Sequence, residues 1–161
     1  MQQLSVDEAH EPRSLRPLAG PAVRAQEGDT ELEIARLVAT FEQHGGLLGS
    51  NEVADRMRPF IDQPMSRLAR WIVSREILTI VRHAVVFVPM FQFNRHLMEL
   101  RPPCREAVLE LSGAMVDADV ALWFAAPNSW LAGAMPVQTL EHSPQRVVEA
   151  ARADRFILRG W

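Results

Sequence analysis

Apolar positions recur at helical spacing through most of this chain, with one interval where they bunch as in a strand. From Thr30 onward, Leu32, Ile34, Leu37, Val38 and Phe41 build one helical face. Thr30 with Glu33 three residues later has capping-box spacing, so a helix is predicted to start there. Gly45-Gly46 ends it, because glycine takes the left-handed C-terminal conformation at little cost. A short helix follows, capped by Ser50, burying Val53, Ala54 and Met57, and stopped by Pro59. The next opens at Pro64 and turns Met65, Leu68, Ala69 and Ile72 inward. Residues 77–81 and 85–88 read as a β-hairpin with Arg82-His83-Ala84 at its tip, and Pro89 permits only an edge position. The remainder is helical. One helix is predicted over 106–115, with Val108, Leu109 and Leu111 apolar. Another runs from Asp117 or Ala118 to Ala126, with Val120, Ala121, Phe124 and Ala125 inward. A short turn covers 136–140, and a last helix after Ser143-Pro144 carries Val147, Val148, Ala150 and Ala151.

Ahead of these elements, residues 1–28 hold Pro12, Pro17, Gly20, Pro21 and Gly28 without any period, and are predicted to be a disordered tail. The fold class expected is mainly α with one small β-hairpin. Arg101-Pro102-Pro103 is the best junction, dividing the chain into units at 29–101 and 102–161. With 48% hydrophobic residues in 161, the chain can bury a core. Its apolar runs fall short of the roughly 18 residues that a membrane helix needs, and residues 1–8 lack signal-peptide order, so a cytoplasmic protein without a membrane partner is expected.

Charge changes this picture modestly. All 17 basic residues are arginine, and there is no lysine or tyrosine. Every side-chain cation other than histidine is therefore a planar fork suited to phosphate or carboxylate. Residues 50–105 carry 9 arginines against 5 acids, while both flanking stretches are net acidic, so a polyanion would favour the middle.

Catalytic chemistry is not indicated. No Ser/His/Asp order, glycine-rich phosphate loop or zinc spacing is present, so neither an enzyme, a cofactor nor a metal site is expected. The five histidines are expected to be structural or solvent-facing. Cys104 is alone and, with His96, lacks the third group that would orient a nucleophile pair. Trp71 and Trp123 are expected in the core. Trp161 is the last residue, where an indole more plausibly docks than packs inside, so Arg159-Gly160-Trp161 is the interaction candidate from physics alone.

Two resemblances give these elements a function. Two short helices followed by a hairpin resemble a winged helix-turn-helix unit of the excisionase/MerR type. That reading implies DNA contacts from Ser66, Arg67, Arg70 and Arg75 on the second helix and from Arg82 on the hairpin, arginine being suited to guanine edges and phosphates. The opposing reading is a solvated arginine face, with Asp62 and Glu76 repelling phosphate.

Further on, Pro89, Phe91-Gln92-Phe93, then Leu122-Trp123-Phe124 with Pro127-Asn128, then Leu131, Gly133, Pro136 and Leu140 resemble the toxin-binding domain of Xre/MbcA/ParS-type antitoxins. The likeness covers about residues 91–161. It implies a helical domain in which Asn128 bonds a loop backbone, Gly133 allows tight approach and Pro136 starts a helix. It also implies an antitoxin of a type II pair that neutralises a RES-domain NAD-degrading toxin, with the chain's C-terminal end reaching toward it. The residues so implied are Trp130, Arg155, Phe156, Arg159, Gly160 and Trp161. Operator DNA, through repression of its own operon, and a second copy of the chain are further partners on this reading. The alternative is a stand-alone DNA-binding regulator whose helical domain dimerises.

Overall fold

The computed structural model describes residues 21–160, with side chains from residue 31 onward. Among them are seven α-helices and two small antiparallel sheets, so the protein is mainly helical. The expected tail over 1–20 and the terminal Trp161 lie outside the described residues. Over 21–28 the tail expectation fails, because helix α1 spans Pro21–Glu42 and Thr30 is inside it rather than at its cap. The helix ends where glycine permits. Gly46 N–H reaches Phe41 O at 2.8 Å, and Gly45 and Gly46 sit at φ 107° and 82°.

Strand β1, Leu47–Gly49, was not legible from period, being three residues long. Helix α2, Ser50–Met57, buries Val53, Ala54 and Met57 as its spacing predicts. Ser50 is its first helical residue instead of its cap. Glu52 Oε2 accepts the Gly49 N–H at 3.1 Å and stabilises the helix start. Helix α3, Pro64–Val73, is rotated from the predicted face. Leu68 is buried, Trp71 and Ile72 are half-buried, and Met65 and Ala69 are exposed.

The hairpin forms from β2, Ile80–Arg82, and β3, Val85–Pro89, in the register Ile80↔Phe87, Val81↔Val86, Arg82↔Val85. His83 and Ala84, at φ 48° and 61°, are the two left-handed residues that a tight primed turn demands. Strand β3 is central, in the order β1-β3-β2, and not an edge. Pro89 is tolerated because it is the last residue of the strand, opposite Leu47, and Met90 supplies the next N–H to Gly46 O at 2.9 Å.

The segment Phe91-Gln92-Phe93 then divides its side chains between two cores. Phe91 packs against Phe41 and Phe124, each with a ring separation of 5.1 Å. Phe93 faces Trp71 at 6.1 Å. Between them the buried Gln92 accepts the Leu78 N–H at 2.6 Å and donates to Leu78 O and Pro89 O, each at 3.0 Å. A buried amide is tolerated here because both of its ends are satisfied.

A second sheet of β4, Phe93–Asn94, and β5, Glu99–Leu100, leads into α4, Pro102–Ser112. Pro102-Pro103 thus forms the first turn of a helix, four residues before the predicted start, a place where proline lacks no needed N–H. Helices α5, Asp117–Ala125, α6, Pro136–His142, and α7, Pro144–Arg159, complete the chain. Their inward residues match the predicted sets, except that Ala125 is half-buried.

Apolar packing does not divide at Arg101. The larger cluster joins Leu37 and Phe41 of α1, Leu78 and Phe91 to the buried faces of α4–α7. The smaller holds Val53, Met57, Leu68, Ile77, Val88 and Phe93. Arg101 itself ties the parts together by donating to Phe91 O at 3.3 Å and Leu140 O at 2.7 Å.

Candidate functional site

The C-terminal surface is built around one carboxylate. Asp154, on α7, accepts Trp123 Nε1–H at 2.7 Å and Asn128 Nδ2–H at 3.0 Å through Oδ2, and Trp130 Nε1–H at 2.8 Å through Oδ1. Asn128 also accepts the Trp130 N–H at 2.9 Å, so it does bond the loop backbone. Trp123 is half-buried, edge-on to Phe124, and not enclosed in the core. Trp130 is 51% exposed, yet its indole is held at both backbone and ring nitrogen. Gly133 serves a different purpose from the one expected. Nothing lies within 4 Å of where its Cβ would be, and it is φ +83° that makes glycine suitable.

Helix α7 is pinned to α4 by charge. Arg152 meets Glu106 and Glu110, Arg155 meets Glu110, and Arg159 donates to Gly113 O at 3.1 Å. Between the Arg155 and Arg159 contacts the last turn carries Phe156, Ile157 and Leu158, exposed at 60%, 63% and 53%. Three consecutive residues span more than half the circumference of a helix, so apolar surface faces solvent over a wide arc of this turn. Gly160, at φ 70°, ends it. Of the six residues that sequence places here, Arg155 and Arg159 are partly committed to holding α7, and Trp130, Phe156 and Gly160 sit at the surface.

The arginine surface is smaller than the sequence suggests. Ser66, Arg67 and Arg70 are exposed on α3, with Arg67 stacked 5.9 Å over the Trp71 ring. Arg75 is not on that helix. It follows the C-terminus of α3 at φ 53°, and its guanidinium is spent on the helical part, bonding Asp117 Oδ1 at 2.6 Å, Ser112 O at 2.6 Å and Met115 O at 3.1 Å. Arg82 is likewise engaged, donating to Glu31 Oε2 of α1 at 2.9 Å. Arg67 and Arg70 share a cleft with Trp71, Glu76, Glu99 and Arg105. The Ser74 hydroxyl, with Arg105, holds the Glu76 carboxyl below its ordinary range, so this acid is ionised beside the arginines.

Cys104 is fully buried, and burial pushes its thiol up to about 12. His96 is exposed. A thiolate nucleophile served by that histidine is therefore not assembled. Among the described residues no group of three or more His, Cys, Asp or Glu side chains has metal-holding geometry, and no helix is long and apolar enough to cross a membrane. Sequence reasoning missed Asp154, and it gave neither the motif residue Gln92 nor the junction residue Arg101 its bonding role. Each is an isolated polar residue in a helix or loop, and its partners lie 10 to 39 residues away along the chain, apart from the Gln92 contact with Pro89. No protein-family model matches the chain, and neither a curated protein nor a solved structure matches it.

Proposed function

We propose that this chain is an antitoxin that binds and neutralises a RES-domain NAD-degrading toxin through its C-terminal surface, and acts by binding, not by turnover. The observation that carries the reading is the last turn of α7, where Phe156, Ile157 and Leu158 stand exposed beyond the ion pairs that fix the helix. Apolar side chains presented on a rigid helix lose little entropy on binding, which is what an interface anchor requires. Trp130, locked by Asp154, supports the reading as a second preorganised aromatic. Arg155, Arg159, Gly160 and Trp161 complete the proposed surface. The residues that resemble the antitoxin motif mainly build the domain: Gln92 and Asn128 satisfy backbone, and Phe91 and Phe124 fill the core.

A second reading, as a DNA-binding regulator or autorepressor, draws support from the order α1-β1-α2-α3-β2-β3 with sheet order β1-β3-β2, two short helices followed by a hairpin as that reading expects. Ser66, Arg67 and Arg70 are its contacts, while Arg75 and Arg82 are withdrawn from it. Co-expression with the adjacent open reading frame, following cellular NAD⁺ and co-purification, tests the first reading. A stable complex and NAD⁺ collapse only without this chain are expected. Removal of residues 157–161 should abolish protection; full protection by the shortened chain refutes the C-terminal assignment. Salt-dependent duplex binding with no toxin complex favours the second reading.

A further inference from the structure

Of the arginines near the two cores, Arg58 has Asp55, Arg75 has Asp117, Arg82 has Glu31, and Arg105 has Glu76, whereas Arg36, Arg67 and Arg70 make no ion pair among the described residues. Arg56, in the last turn of α2, and Arg95, in the turn between β4 and β5, have neither a hydrogen bond nor an ion pair among the described residues. They line one cavity of about 280 Å³, with Gly45, Phe60, Met90 and Met98 as its other walls. No acid lines it. Glu52, one turn before Arg56, is occupied by Gly49 N–H, and Glu42 turns its carboxylate toward Gly46. The other clefts differ: Glu76 and Glu99 line the one beside α3, and Glu33 and Asp117 line the apolar one beside β2.

Arg95 is placed there by the fold. A Cβ on Gly45 would lie 2.8 Å from Arg95 Nη2, so the guanidinium rests against the Gly45 backbone. Two planar forks on a single cavity repel one another and offer more N–H donors than a carboxylate's two oxygens accept well. A phosphate group, with three terminal oxygens and more charge, satisfies both. The remaining walls are the half-exposed Phe60 ring and the thioethers of Met90 and Met98, suited to a flat apolar group. The geometry points to a nucleotide-phosphate site formed by Arg56 and Arg95, with the base or sugar against Phe60. Its size is close to the lower end of small-ligand sites, roughly 300 Å³. It is separate from both surfaces of the proposed function, so its failure would leave that reading untouched.

The test is calorimetric titration of the full chain with inorganic phosphate, AMP and a short DNA duplex, in the wild type and in Arg56→Ala, Arg95→Ala and, as a control on α1, Arg36→Ala. All three arginines are exposed, so the variants are expected to fold, and circular dichroism checks that. AMP should bind more tightly than inorganic phosphate, and each site substitution should weaken it about tenfold or more, while Arg36→Ala leaves it unchanged. Binding of duplex alone, lost in Arg56→Ala and Arg95→Ala, supports the same site with a nucleic-acid phosphate as its ligand. Absence of binding by all three probes, or equal losses in Arg36→Ala, overturns the site. Equal affinity for AMP and inorganic phosphate overturns the nucleotide assignment.

Discussion

Replacing Asp154 by alanine should be among the most damaging single changes outside the apolar core. The carboxylate accepts three N–H donors, from Trp123, Asn128 and Trp130, and so ties α5, the 127–134 loop and α7 together. A hydrogen bond to a charged group contributes roughly 1.5–3 kcal/mol when shielded. The Trp123 and Asn128 bonds are part-buried and earn the low end of that range, and the Trp130 bond is exposed and worth less. The sum is about 3 kcal/mol, equivalent to a fall of roughly 10 °C in Tm for a domain of this size. Urea unfolding followed by tryptophan fluorescence measures it. Two of the four indoles lie on Asp154, so the native emission itself should shift. Asp154→Asn keeps the shape but turns an NH₂ toward donors, and should fall between wild type and alanine. Glu149→Ala, an exposed acid of the same helix, should change stability by no more than about 0.5 kcal/mol. If Asp154→Ala matches Glu149→Ala, the carboxylate does not hold this region and the rigid presentation of Trp130 is wrong.

Gln92→Leu should destabilise by about 2–4 kcal/mol in the same assay, because it strands the buried Leu78 N–H and C=O; a loss under about 1 kcal/mol would mean that water replaces the amide. Cys104 gives a pH dependence of defined sign. Its thiol is raised from 9.0 to about 12 in the folded protein, so the unfolded chain loses this proton first, and stability should fall as pH rises through that window, at up to about 1.4 kcal/mol per unit. The chain has no lysine or tyrosine to mask the effect, and Cys104→Ala should flatten it. Arg75→Ala should cost about 1–2 kcal/mol in stability and leave any duplex affinity unchanged, whereas Arg67→Ala and Arg70→Ala should do the reverse; electrophoretic mobility shift and urea melts separate the two.

Local periodicity sufficed for what neighbours in sequence decide. The inward residues of α2, of α5 apart from Ala125, and of α7, with the Gly45-Gly46 stop, follow from spacing and backbone preference within a few residues, and sequence alone determined them. It did not reveal that α1 begins at Pro21, that Leu47–Gly49 completes a three-stranded sheet, or that Pro102 opens a helix. A strand that short has no period, and its existence depends on β3 lying beside it. The arginines make the same point more sharply. On a helical projection Arg67, Arg70 and Arg75 form one basic stripe, yet Arg75 leaves α3 and reaches Asp117, 42 positions away. Whether a guanidinium is a free contact, a clamp or one half of an anion site depends on which carbonyls and carboxylates folding carries within about 3 Å of it. That proximity is a property of tertiary packing, which no pattern along the chain contains.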